Sequence, residues 1–219
     1  MDDAPITSSK NPIVRRFREA AVGDPPEVML VEGVKLLSEC LAAELPIDEV
    51  AISNRLFTVP EGNDLRRKLE RHAGTTHEVS DGVMARLSSV KTPPGAVAIV
   101  RRPAVTRDAL FDLRETTSGR TPLLVVAAGV KDPGNLGALV RTAEAAGATG
   151  LWALSGGADP YREKAVRGSS GSVFRLPVLG GADPEDVVQE CRERGLQIAI
   201  ADSGGGRVHH KVDFRKPTA

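Results

Sequence analysis

Aromatic side chains are nearly missing from this 219-residue chain, which holds five Phe, one Trp and one Tyr, 3% of its residues. A core must therefore rest on Val, Leu, Ile and Ala. Net charge is missing too, with 29 Lys+Arg against 29 Asp+Glu. This excludes the bulk basic charge that by itself announces nucleic-acid binding, so any such affinity must come from local placement of arginines. There are only two cysteines, Cys40 and Cys191. Far apart and in helical stretches, they read as buried small hydrophobes in a reducing compartment. No apolar run approaches the ~20 residues of a membrane helix. The acidic opening "MDDAPITSSK" has no apolar region of the kind a signal peptide carries. A cytoplasmic protein without a membrane partner is expected. The adjacent His209 and His210 lack metal-ligand spacing and no zinc pattern exists, so no metal is expected.

What is present is an ordinary globular composition, 41% hydrophobic and 26% charged, long enough for one large domain or two small ones. "NPIVRRFREAA" predicts a helix capped by Asn11 with Pro12 at its first position. "VMLVEGVKLLSECLAAELP" predicts a strand and then a helix with Val34, Leu37 and Leu41 on one face. "IDEVAIS" and "GAVAIV" predict strands, "NDLRRKLERHAG" a helix closed by Gly74, and "DGVMARLSS" a short capped helix. Residues 1–104 thus read as a small α/β unit, and the polar, proline-bounded residues 105–121 as a linker. From "LLVVAAGV" onward strand and helix alternate: helix 136–146, strand "GLWALS", helix "PYREKAVRG", strand "FRLPVL", helix 184–194 and strand "LQIAIAD". That alternation predicts a parallel sheet with right-handed crossovers over 122–219. The fold class is α/β, and the second unit reads as unfinished at "VDFRKPTA".

The stretch "VKDPGNLGALVRTAEAAG" carries the chemistry. It starts where a buried strand ends, at the edge where open α/β sheets place their ligand crevices. Asn135 reads as the helix N-cap and Gly147 as the residue just past its end. Gly134 and Gly137 permit close approach of another backbone. Arg141 lies about 9 Å along the helix from Asn135 at ~1.5 Å per residue. Neither a P-loop nor a GxGxxG is present, which disfavours an ordinary nucleotide-binding protein. A second segment, "ADPYREKAVRGSSGSVF", reads as a helix capped by Asp159, started by Pro160 and ended by Arg167. The Gly168–Ser172 cluster behind it is either a plain loop or a backbone cradle for a polar ligand. Near the N-terminus Lys10, Arg15, Arg16 and Arg18 form either a solvated face or a phosphate-contact patch.

These segments resemble the SpoU/TrmH family of RNA ribose 2′-O-methyltransferases, of the knotted SPOUT class. Asn135, Gly137, Arg141, Thr142 and Ala143 match its first motif, and Arg167 through Ser172 its second. "SSKNPIVRRFREA", "LVEGVKLLSECL" and "TPPGAVAIV" resemble its N-terminal RNA-binding domain. The resemblance implies S-adenosylmethionine as cofactor, ribosomal RNA as partner with transfer RNA the other candidate, and a homodimer. It implies Arg141 as the residue that activates the ribose, with Asn135 orienting it. Gly168, Ser169, Ser170 and Gly171 would line the cofactor side, and Lys10, Arg15, Arg16, Arg18 and Arg167 would contact RNA. Because arginine stays protonated, Arg141 is expected to act electrostatically. Glu32 and Gly33 are expected to be structural. The family's third motif, Gly-x-Glu-x-x-Gly followed by Ser-Leu-Asn-Val, does not occur in the sequence. An incomplete methyltransferase unit is therefore expected, and the alternative is a non-catalytic RNA-binding remnant.

Overall fold

The structure, a computed structural model, describes residues 4–112, 121–202, 204 and 208–219. Residues 113–120 of the expected linker lie outside the described residues.

The N-terminal half builds a mixed sheet from β1 (Val28–Glu32), β2 (Ile47–Ile52), β3 (Ala73–Glu78) and β4 (Ala96–Arg101), in the order β1-β4-β2-β3. Strand β4 runs antiparallel to both of its neighbours, while β2 and β3 are parallel. Successive strand residues point to opposite faces, and the burial follows that alternation. Leu30, Ala51, Val97 and Ile99 pack with α1 (Pro12–Ala21) and α4 (Asp81–Leu87). Val31, Val50, Ala98 and Val100 pack on the other face with α2 (Val34–Ala42) and α3 (Gly62–His72). Asn11 caps α1, its side chain accepting from the Ile13 amide at 3.1 Å. The expected stop at Gly74 does not occur: α3 ends at His72 and the chain passes straight into β3. Gly74 serves instead as a close approach, since a Cβ there would lie 2.7 Å from the Asp48 carbonyl oxygen.

The second sheet is parallel, with β5 (Leu124–Ala127), β6 (Gly150–Leu154) and β7 (Val178–Ala182) in that order. Helix α5 (Pro133–Ala145) links β5 to β6, α6 (Glu163–Ser169) lies between β6 and β7, and α7 (Pro184–Glu193) follows β7. Three expectations shift. Helix α6 begins at Glu163, because Asp159 spends its side chain on a turn at the Tyr161 amide, 2.9 Å away. Strand β7 begins only at Val178, a 3₁₀ turn over Ser172–Phe174 taking up the start of "FRLPVL". The segment expected as a strand from Leu196 pairs only briefly: the Gln197 and Ala199 amides donate to the carbonyls of Pro217 and Ala219. Thr218 in turn exchanges backbone bonds with Pro122 and Leu124, so residues 217–219 lie beside β5.

The two halves share one apolar cluster, in which Met29, Leu37 and Cys40 belong with Leu136, Val166 and Phe174. Among the described residues no helix is long and apolar enough to cross a membrane.

Candidate active site

Helix α5 leaves the carboxyl end of β5, and its start is three residues earlier than the sequence predicts. Asp132, not Asn135, is the N-cap: its Oδ1 accepts from the Asn135 amide at 2.9 Å, and Pro133 occupies the first helical position. Asn135 therefore sits inside the first turn with its side chain released from capping. The far end stops as expected. The Gly147 amide donates to the Glu144 carbonyl and the Ala148 amide to that of Ala143, with Gly147 at φ +76, the hydrogen-bond pair that closes a helix through a left-handed residue.

Helix α5 lies directly on α6. A Cβ on Gly137 would sit 2.2 Å from the Ala165 carbonyl oxygen and 2.8 Å from the Ser169 nitrogen, and one on Gly168 would sit 2.9 Å from the Gly134 oxygen. Two glycines of α5 and one of α6 thus let two backbones touch. Asn135 and Arg141 are both exposed. Among the described residues neither side chain has a hydrogen bond or ion pair. Arg162, Arg167, Arg175, Arg194 and Arg215 are by contrast tied to carboxylates, while Arg192 on α7 is, like Arg141, without an ion pair among the described residues. A free guanidinium near a polar amide at a sheet's carboxyl edge can meet an anion without first breaking a bond.

The second predicted segment is engaged elsewhere. The Arg167 guanidinium bonds to Ser89 Oγ at 2.9 Å, to Glu32 Oε1 at 3.2 Å and to Glu163. Glu32, whose side chain is 4% exposed, also accepts from Ser88 Oγ at 2.7 Å and Ser89 Oγ at 3.1 Å. Burial raises the Glu163 carboxyl above its ordinary value, and nearby Glu32 adds to the rise. Arg167, although its side chain is 40% exposed, is therefore a clamp between α6 and the end of β1. Two more arginines bridge the halves. Arg102 meets Asp159 at 3.1 Å and lies 5.1 Å over the Tyr161 ring. Arg175 joins Glu39 of α2 to Glu144 of α5.

Gly168 packs against α5, and the Ser169 hydroxyl donates to the Val166 carbonyl at 2.7 Å. Ser170 takes the left-handed conformation at φ +51, and Gly171, at φ +89, lies against the Glu39 side chain. These four residues shape the end of α6. Open backbone lies instead at Gly129 and Gly156, in the turns after β5 and β6, where an added Cβ would meet no atom within 4 Å.

On α1, Lys10, Arg15 and Arg18 line a groove of about 610 Å³ with Val14 and Val22. Lys10 and Arg18 are exposed and, among the described residues, without an ion pair; Arg15 holds Glu19 at 2.7 Å, on the surface. Arg16 does not join them. It grips both oxygens of Glu49, at 2.8 and 2.7 Å, and His77 shares that carboxylate at 2.9 Å.

Sequence reasoning missed Asp132, although Asp before Pro is the same signal that located Asn11. It also missed Lys164, whose Nζ lies 2.6 Å from Asp132 Oδ2; no local pattern announces a contact between two helices.

Residues 122–219 match the SpoU rRNA Methylase family, and residues 15–98 match the MRM3-like substrate binding domain. An uncharacterized tRNA/rRNA methyltransferase of Synechocystis is 29% identical over 99% of this chain and 77% of its own length. The 23S rRNA (uridine(2479)-2′-O)-methyltransferase of Streptomyces viridochromogenes is 35% identical over 58% of this chain and 44% of its own length. The structure of an S-adenosylmethionine-bound rRNA methyltransferase from Sinorhizobium meliloti superposes with a TM-score of 0.78 at 28% identity, covering 98% of this chain and 78% of that one.

Proposed function

Because the chain belongs to the SpoU family of RNA methyltransferases, we propose that it methylates a ribose 2′-hydroxyl of RNA, with S-adenosylmethionine as donor and ribosomal RNA as substrate. The observation that carries this reading is the exposed, unpaired Arg141 two turns along α5 from Asn135, at the carboxyl edge of the parallel sheet.

A ribose hydroxyl is a poor nucleophile until its proton leaves or its developing charge is stabilised. Arginine does not give up its own proton at neutral pH. Arg141 therefore acts by charge, stabilising the forming alkoxide and holding the adjacent phosphate through its fork of donors. Asn135 orients the ribose from the first turn. S-adenosylmethionine supplies the electrophilic methyl group of its sulfonium, and the open backbone at Gly129 and Gly156 is the surface we assign to its side of the cleft. Gly168, Ser169, Ser170 and Gly171 support α5 from behind, without direct contact to the cofactor. RNA is gripped by Lys10, Arg15 and Arg18, while Arg16 and Arg167 serve structure.

In this reading residues 1–104 form the RNA-binding unit, 105–121 the connection and 122–219 the methyltransferase unit, acting in the cytoplasm as a homodimer. Arg141→Ala tests it. Transfer of labelled methyl groups to ribosomal RNA is expected to fall at least about a hundredfold, the scale of losing a preorganised donor in the transition state, while calorimetric S-adenosylmethionine affinity stays unchanged. Undiminished transfer by the variant would overturn the assignment.

A further inference from the structure

Asn135 is held in place by a relay that begins on the neighbouring helix. Asp132 uses both carboxylate oxygens: Oδ1 accepts from the Asn135 amide at 2.9 Å, and Oδ2 accepts from Lys164 Nζ of α6 at 2.6 Å. The Lys164 bond, followed by the Asn135 amide bond, holds the Asp132 carboxyl below the usual range. Beneath the carboxylate, Gly134 leaves room that a side chain would fill: its Cβ would lie 2.9 Å from Asp132 Oδ1 and 3.2 Å from Lys164 Cε.

We propose that Lys164 is a positioning residue for Asn135, acting through Asp132 and resting on the reading of Asn135 and Arg141 given above. The Gly134 backbone touches Gly168 of α6, as Gly137 touches Ala165 one turn on, but in this first turn Pro133 offers no amide, Gly134 adds no side chain, and the Asn135 side chain has no partner of its own among the described residues. The Asp132 carboxylate is thus the side-chain contact that holds the Asn135 amide. Loss of Lys164 therefore loosens the turn carrying Asn135 and leaves Arg141, further along the pinned body, where it is.

Magnitudes separate this role from a structural one. Both partners are about half exposed, 54% for Lys164 and 44% for Asp132, and an exposed ion pair adds little to stability. Small displacements of a positioning group, by contrast, cost up to about a hundredfold in rate.

The test compares Lys164→Met, Lys164→Arg, Asn135→Ala and the Lys164→Met/Asn135→Ala double variant. Methyl transfer to ribosomal RNA is followed together with hydrogen exchange at the Asn135 amide. Lys164→Met is expected to lower kcat about tenfold with KM within about twofold, the pattern of an interaction used at the transition state. Exchange at Asn135 should accelerate, Lys164→Arg should restore both readouts, and the double variant should be no slower than Asn135→Ala alone, since coupled groups are not additive. Two results overturn the inference while leaving the site reading intact: unchanged kcat and exchange in Lys164→Met, or a raised KM additive with Asn135→Ala, which would make Lys164 a direct phosphate contact. If Asn135→Ala itself transfers methyl groups normally, the site reading fails and takes this inference with it.

Discussion

At the scale of single residues, what an arginine can do here depends on whether a carboxylate already holds it. Arg16, Arg18, Arg141 and Arg167 are interchangeable in a sequence pattern, yet Arg16 is forked onto Glu49 and Arg167 is bound to Glu32 and Glu163, whereas Arg18 and Arg141 have no ion pair among the described residues. Free cations neutralise phosphate without breaking an existing bond, so the account predicts different salt dependences. Lys10→Ala and Arg18→Ala should each lower the slope of log affinity for RNA against log salt by about 1. Arg16→Ala should leave that slope unchanged and lower the melting temperature, because Glu49, held below its usual range by the Arg16 bond, loses its main partner. Filter binding across a salt series, with thermal melts, checks both. The motif in the sequence put Asn135 and Arg141 on one helix, and both are exposed there. The loss of Arg16 and Arg167 to ion pairs was not legible in it, because Glu49 and Glu32 lie 33 and 135 residues away in the chain.

At the scale of elements, helices start where a capping side chain precedes proline and the helix packs at once, a signal the sequence reading used at Asn11 and passed over at Asp132. Asn11-Pro12 follows that rule, and so do Asp132-Pro133 and Asp183-Pro184, each cap accepting a first-turn amide. Asp159-Pro160 breaks it. Its carboxylate is also bound by Arg102, and the buried Tyr161, whose hydroxyl donates to the Val178 carbonyl at 3.0 Å, delays the helix to Glu163. The sequence marked Gly137 as a close-approach position without saying what approaches. Replacing a helical glycine with alanine ordinarily gains up to about 1 kcal/mol. Here the sign reverses, since the new Cβ would lie 2.2 Å from the Ala165 carbonyl oxygen. Gly137→Ala is expected to destabilise by about 2–3 kcal/mol, the scale of overpacking a close contact, measured as a shift in urea midpoint. A stable Gly137→Ala variant would mean that α5 and α6 are not held at this distance.

At the scale of the whole molecule, the two sheets are joined by a shared apolar cluster and by arginine bridges from Arg102, Arg167 and Arg175. The bridge at Arg167 holds two carboxylates for one guanidinium, and burial raises Glu163 above its ordinary value. A raised acid stabilises the fold below its unfolded value, and that contribution is lost as pH rises through the folded value. Glu163→Gln removes this term, so its melting temperature relative to the wild type should climb as pH rises through and above the ordinary carboxylate range. A difference that stays flat or falls with pH would mean that burial does not raise the Glu163 carboxyl. The bridges also tie the half that carries α1 to the half that carries α5. The most direct test of the central claim is chemical identification of the product. Ribosomal RNA is incubated with the protein and methyl-labelled S-adenosylmethionine, then hydrolysed in alkali, which cannot cleave beside a 2′-O-methyl ribose. The account predicts label in alkali-resistant dinucleotides with the wild type and none with Arg141→Ala. Label released on a methylated base, or equal labelling by the variant, would contradict it.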